Sequence, residues 1–214
     1  MERIIDITYQ EKLSHLGSCL TTYPILKHIY ETKAPGDRVV LSSGHSGLAL
    51  YVTLEELHGT DPVKLLHDFG IHPVRDPERN IEVSSGSLGS AILVACGMAL
   101  GDPNTKVHVV ISDGECAEGS VWEALTFAQT NLENLEVHVN VNGYGAYDSV
   151  DSKYLIRRLR AFLPRVNIWR TSAEAIMPGL SAHYFVMSSP KDYELFKENA
   201  KGVCCRALQP DEEE

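Results

Sequence analysis

The stretch VHVVISDGECAEGSVWEALTFAQTNLENLEVHVNV, residues 107–141, decides the fold. Residues 107–111 and 135–141 are nearly continuous apolar runs, which is typical of strands buried on both faces of a parallel sheet. Between them, residues 121–130 have the length and apolar spacing of a helix. Strand, helix and strand joined by short connections form a βαβ unit. This stretch therefore predicts an α/β fold with a mostly parallel sheet flanked by helices.

The rest of the chain continues the same alternation. Further strands are predicted at residues 39–41, 166–169 and 203–207. Further helices are predicted from apolar spacing at residues 4–16, 23–30, 45–58, 63–69, 91–100 and 193–201. A length of 214 residues fits one domain with a single core. We expect this domain to cover residues 1–209, with a short acidic tail at residues 210–214.

Composition excludes some classes of function. A formal net charge of −10 disfavours binding to nucleic acid or to an acidic membrane surface. The N-terminus lacks a basic stretch followed by an apolar run, and no segment has about 18 consecutive apolar residues. We therefore expect a cytoplasmic protein. The five cysteines have no CxxC spacing, which favours ordinary thiols over a metal site or a disulfide framework.

Polar residues follow two successive predicted strands at the point where each strand ends. Asp113-Gly114-Glu115 comes after the first strand, and Asn142 comes after the second. Ligands of parallel sheets bind beyond the carboxyl ends of the strands. A carboxylate oxygen, an amide oxygen and a loop carbonyl such as that of Tyr144 would suit Mg²⁺. Asp-Gly and Asn-Gly are also common turn dipeptides, so each pair alone could be only a turn.

This pattern resembles the thiamine-diphosphate motif, usually written GDG with a downstream Asn, and residues 112–125 are similar to its transketolase version. Four other segments resemble transketolases in the same order: SHLGS (14–18), DRVVLSSGHSGLALY (37–51), His72-Pro73 and GSLGS (86–90). One departure is Ser112, which stands where the motif has its first glycine. The resemblance implies the thiamine-diphosphate-binding fold. Within that fold, this chain would be the domain that binds the diphosphate group of the cofactor.

The resemblance also implies cofactors and a role for each matching residue. The cofactors would be thiamine diphosphate and Mg²⁺, with Ca²⁺ or Mn²⁺ as substitutes. The metal ligands would be Asp113, Asn142 and the carbonyl of Tyr144. The residues expected to contact the cofactor are His45, Gly86, Ser87, Leu88, Gly89, Ser112, Asp113, Gly114, Glu115 and Asn142. The residues expected to act on the substrate are His15, His72 and His183, the last on a weaker match.

A separate partner subunit is a further implication. In transketolases a second domain holds the aminopyrimidine ring and provides the glutamate that activates the cofactor, and 214 residues leave no room for it. The glutamate is therefore expected from a pyrimidine-binding partner chain, in an α2β2 assembly, and this chain alone should be inactive. The implied reaction transfers a two-carbon ketol unit from a ketose donor to an aldose acceptor, with sugars or sugar phosphates as substrates.

Other functions remain open. Within the same cofactor class, the chain could belong to an enzyme like deoxyxylulose-phosphate synthase or to a keto-acid decarboxylating subunit, or it could be a non-catalytic scaffold. A nucleotide-binding oxidoreductase would need GxGxxG after a strand, and a hydrolase would need GxSxG at a strand–helix turn. Neither motif occurs in the sequence.

Overall fold

The computed structural model describes residues 1–145, 148–173, 184–210 and 212. The helices in this part of the chain are α1 (Glu2–Gln10), α2 (Leu16–Thr32), α3 (Gly47–His58), α4 (Pro62–Phe69), α5 (Ala91–Gly101), α6 (Gly119–Asn131), α7 (Ser152–Phe162) and α8 (Pro190–Asn199). The strands are β1 (Arg38–Leu41), β2 (Val107–Ser112), β3 (Leu135–Val141), β4 (Asn167–Ser172) and β5 (Cys204–Ala207).

The five strands form one sheet in the order β1-β2-β3-β4-β5. The first four run parallel, and β5 pairs antiparallel with β4. In the central pair Val107 lies opposite Leu135, so β2 and β3 end at the same edge of the sheet. The prediction of an α/β fold with a mostly parallel sheet is confirmed.

Helices cover both faces of the sheet. One core packs α1, α2, α3, α4 and α8 against side chains that include Val110 and Trp169. The other core packs α5, α6 and α7 against the opposite face, through side chains that include Val109 and Val139. Every residue of β2 is buried, which explains the continuous apolar run that identified this strand in the sequence.

Three parts of the helix pattern differ from the sequence prediction. The helix predicted at residues 23–30 begins earlier, since α2 starts at Leu16. The predicted helix at residues 4–16 stops earlier, because Lys12 and His15 have φ angles of 55° and 65°, outside the right-handed helical region. Helix α7 was not predicted. It begins where the Asp151 carboxylate accepts the Tyr154 backbone N–H at 3.0 Å, and it connects β3 to β4 as the third parallel crossover.

A polar network lies between α2 and the sheet. The Asn140 amide donates to the hydroxyls of Thr21 and Thr22 at 3.0 and 3.2 Å. Its carbonyl oxygen accepts the hydroxyl of Thr171 on β4 at 2.5 Å. A buried amide without partners would be costly, so these bonds fix α2 in register against β3 and β4.

Two histidines extend this polar layer. His108 Nδ1 and His138 Nε2 lie 3.2 Å apart on neighbouring strands, and the Trp169 indole N–H donates to His138 Nδ1 at 3.2 Å. Burial and the neighbouring His108 together lower the pKa of His138 to about 3, with burial as the larger cause. His138 is therefore neutral in the folded protein near pH 7.

All five cysteines are free thiols. Among the helices in the described ranges, none combines the length and apolar character needed to cross a membrane.

Candidate functional site

A cavity of about 190 Å³ opens where β1, β2 and β3 end. The cavity is lined by residues from six separate segments: His15, Ser18, His45, His72, Gly86, Leu88, Ser112, Asp113, Gly114, Asn142, Tyr144 and Gly145. Most of the predicted site residues therefore meet in one place, at the edge of the sheet where ligands of parallel α/β folds bind.

Asp113 follows β2 directly and joins two loops. Its side chain is buried, and one carboxylate oxygen accepts the Gly114 N–H at 3.0 Å. The other oxygen accepts the N–H groups of Asn142 and Gly143 at 2.9 and 2.7 Å. Burial raises the pKa of Asp113 to about 6, although these N–H donors act in the opposite direction.

The loop after β3 presents further oxygen atoms to the cavity. Asn142 Oδ1 accepts the backbone N–H of Tyr144 at 2.9 Å, so the amide oxygen is oriented within the turn. The carbonyl oxygen of Tyr144 lies 3.9 Å from the place where a Cβ on Gly114 would sit. The carbonyl therefore faces the loop that carries Asp113.

These groups fit a divalent cation. The carboxylate has about four lone-pair positions and uses three for N–H groups, and an amide oxygen has two. Asp113 and Asn142 thus keep acceptor capacity, and all the donor atoms are hard oxygens of the kind that Mg²⁺ prefers. Within the described ranges, no three His, Cys, Asp or Glu side chains are grouped to bind a metal ion. A cation at this site would therefore be bound by the mixed set of oxygens from the Asp113 carboxylate, the Asn142 amide and the Tyr144 carbonyl.

The loop at residues 86–89 approaches the end of β1 backbone to backbone. A Cβ on Gly44 would lie 2.6 Å from the Gly86 nitrogen, so no side chain fits there. Gly86 has a φ of 144°, and a Cβ on it would lie 3.0 Å from the His72 ring. Gly86 and Leu88 line the cavity, while Ser87 and Gly89 are outside its lining. The glycines bring this backbone close to the cavity floor.

Three histidines face the cavity from different elements. His15 comes just before α2, and its Nδ1 lies 2.7 Å from the hydroxyl of Ser14. His45 lies in a short 3-10 helix after β1, and its ring centroid is 5.7 Å from that of His15. His72 packs against Gly86. His183 lies outside the described residues, so its predicted role is untested.

Glu115, which was predicted to contact the cofactor, is fully buried and does not line the cavity. Its carboxylate accepts hydrogen bonds from the Ser42 hydroxyl at 2.7 Å and from the Ser112 backbone N–H at 3.0 Å. Burial raises the pKa of Glu115, and these hydrogen bonds counteract the shift.

Sequence reasoning did not single out two of the lining residues, Ser18 and Gly145. Each lies within or directly beside a segment that holds predicted site residues. Ser18 ends SHLGS, and Gly145 follows Tyr144 after the predicted strand end. Their closeness in the sequence to predicted site residues is the feature from which both could have been predicted.

Known proteins resemble this chain in sequence. One subunit of the apulose-4-phosphate transketolase of Phocaeicola vulgatus is 34% identical over 164 residues, which are 66% of this chain and 57% of that protein. The 6-deoxy-6-sulfo-D-fructose transketolase subunit SqwG of Clostridium sp. is 36% identical over 138 residues, 54% of this chain and 50% of that protein. Human transketolase is 36% identical over 166 residues, 67% of this chain and 26% of that protein. No protein-family model matches the chain.

The fold agrees with these likenesses. Transketolase from Leishmania mexicana superposes with a TM-score of 0.63 at 23% identity, covering 74% of this chain and 29% of the other. The chain spans between one quarter and about three fifths of the length of the three sequence relatives above. Several ordered segments, the sheet edge that carries Asp113 and Asn142, and this homology agree. The chain therefore belongs to the transketolase family.

Proposed function

We propose that this chain is the diphosphate- and metal-binding subunit of a transketolase-like enzyme that depends on thiamine diphosphate and Mg²⁺. The observation that carries the proposal is the shared cavity, into which Asp113, Asn142 and three histidines converge from separate segments. A scaffold subunit would have no need to keep these side chains together.

Asp113, Asn142 and the carbonyl of Tyr144 would hold the metal. Ca²⁺ or Mn²⁺ could substitute for Mg²⁺, because all three take oxygen ligands. In a chain with a net charge of −10, a bridging cation would help to hold a diphosphate, together with backbone N–H groups and helix N-termini. His45, Ser112, Gly114 and the loop at residues 86–89 would lie on the diphosphate and thiazolium side.

Thiamine diphosphate, when bound, would stabilise negative charge on the carbon that was the donor's carbonyl carbon. The histidines of this chain would orient the substrate and move protons. His15 and His72 line the same cavity as the proposed metal ligands, and an imidazole can move protons near neutral pH. His183 is proposed for the same task. Together these groups suit transfer of a two-carbon ketol unit from a ketose to an aldose.

A partner subunit would complete the site. Two relatives are named as subunits of transketolases, and this chain covers about half of each. We propose that a pyrimidine-binding subunit supplies the activating glutamate in an α2β2 assembly, located in the cytoplasm. Sugars or sugar phosphates are the proposed substrates. Enzymes like deoxyxylulose-phosphate synthase and keto-acid decarboxylases use the same cofactor and remain the alternative.

Calorimetric titration of thiamine diphosphate tests the proposal. The chain, alone and with the protein encoded by the neighbouring gene, is titrated with and without Mg²⁺. Saturable binding that requires the metal, and turnover of a ketose donor only with the partner, are expected. Absence of binding with the partner present would refute the cofactor assignment. Normal turnover by the chain alone would refute the need for a partner.

A further inference from the structure

Glu115 joins three segments that are far apart in the sequence. Its side chain is fully buried, and one oxygen accepts both the Ser42 hydroxyl at 2.7 Å and the Gly89 backbone N–H at 3.1 Å. The other oxygen accepts the Ser112 backbone N–H at 3.0 Å. The carboxylate thus ties together the end of β1, the loop at residues 86–89 and the end of β2.

Each of these segments contributes to the cavity wall. Ser42 is two residues before Gly44 and three before His45, Gly89 ends the loop that carries Gly86 and Leu88, and Ser112 precedes Asp113. The loop is also fixed from its other side, because the Gly89 carbonyl accepts the Ser120 hydroxyl at 3.0 Å. The separation of the loop from Asp113 therefore depends on Glu115.

A neutral side chain would not replace this carboxylate. Four hydrogen-bond donors surround the Glu115 carboxylate: two backbone N–H groups and the hydroxyls of Ser42 and Ser112. The Ser112 hydroxyl oxygen lies 3.5 Å from the nearer carboxylate oxygen. An ionised carboxylate only accepts hydrogen bonds, so both its oxygens suit these donors. A glutamine of the same shape would direct its NH₂ group at a backbone N–H and leave that donor unsatisfied.

We propose that Glu115 is a positioning residue that sets the distance between the loop at residues 86–89 and the metal-binding edge of the sheet. The inference rests on the proposed function for its effect on cofactor affinity. The link between Glu115 and the loop is independent of any ligand. Glu115 acts through Gly89 and Ser112, because its own side chain is buried and does not line the cavity.

Glu115→Gln is the decisive variant, with Glu133→Gln as a matched control on an exposed loop. Hydrogen exchange in the ligand-free protein is measured for residues 84–90. Affinity for thiamine diphosphate with Mg²⁺ is measured in the presence of the partner. Glu115→Gln is expected to raise exchange of the loop and to weaken affinity by roughly 10-fold, the size typical of lost supporting contacts around a metal site. Glu133→Gln should change neither quantity.

The outcomes separate the two proposals. Faster loop exchange with unchanged affinity would show a purely structural role and overturn the inference, as would unchanged exchange. A wild-type protein that binds no thiamine diphosphate would overturn the proposed function and the affinity claim, while loop exchange would still report whether Glu115 holds the loop. If Glu115→Gln does not fold, Ser42→Ala removes one donor and should change both readouts in the same direction, less strongly. No change in either would overturn the inference.

Discussion

The carboxylate of Asp113 accepts the backbone N–H of Gly143 at 2.7 Å, across two loops that follow neighbouring parallel strands. The bond holds the turn after β3 against the end of β2. Gly143 has a φ of 87°, a left-handed conformation that glycine adopts without strain. Asp113 therefore shapes the proposed metal site in addition to providing a ligand.

Replacement of Asp113 should abolish metal-dependent binding. Asp113→Ala removes a proposed ligand and the acceptor for three N–H groups, so affinity for Mg²⁺ with thiamine diphosphate is expected to fall by roughly 100-fold or more. Asp148→Ala, on an exposed part of the following loop, is the control. Calorimetry measures both, and equal affinity in the two variants would argue against Asp113 as a ligand.

The close approach of Gly44 to Gly86 predicts a large effect from one methyl group. A Cβ on Gly44 would lie 2.6 Å from backbone atoms, so Gly44→Ala should displace the loop and destabilise the fold by about 1–3 kcal/mol. Gly97→Ala is the matched control within α5, where a Cβ meets nothing within 4 Å. It should stabilise the protein by about 0.5–1 kcal/mol. Urea denaturation measures both, and equal shifts would contradict the packing argument.

The sequence predicted the site because parallel strands place their carboxyl ends at one edge. Asp113 and Asn142 each follow an apolar run, and the alignment of β2 with β3 brings them together. The buried strands and most helices were predictable for a similar reason. Apolar spacing reports which faces lie against the core.

Other features depend on contacts that spacing does not encode. The turn between α1 and α2 requires a left-handed backbone at His15, a conformation that is uncommon outside glycine and that apolar spacing does not indicate. The orientation of Glu115 is set by Ser42 and Gly89, which are 73 and 26 residues away in the sequence. Helix α7 is a different case: its buried Leu155, Ile156 and Leu159 have helical spacing, so the sequence contained a signal for this helix that the prediction missed.

Acid should destabilise the protein through His138. Its pKa in the folded state, about 3, is below the value of about 6.5 for an unfolded chain, so the unfolded state binds the proton first as the pH falls. The free energy of unfolding should therefore decrease below pH 6.5, by up to about 1.4 kcal/mol per pH unit from this residue. Urea denaturation between pH 7 and pH 5 measures the slope.

Two variants test whether His138 causes this dependence of the free energy of unfolding on pH. His138→Gln removes the titrating group and should flatten the dependence, although the protein becomes less stable at pH 7. His58→Gln, on the exposed end of α3, should leave the slope unchanged. A slope that is the same in all three proteins would show that His138 does not account for the acid sensitivity.

His15 combines an unusual backbone conformation with a proposed role in the reaction, and two substitutions can distinguish the two. Its φ of 65° is left-handed, a conformation that disfavours side chains with a Cβ by roughly 1–2 kcal/mol. Its position at the start of α2 also favours glycine over alanine. His15→Gly should therefore be more stable than His15→Ala by about 1 kcal/mol.

Both variants should lose turnover of a ketose donor in the complex with the partner, because neither carries an imidazole. Thermal melts and initial rates measure the two effects. Equal stability would contradict the left-handed backbone, and full activity in either variant would remove His15 from the proposed catalytic group.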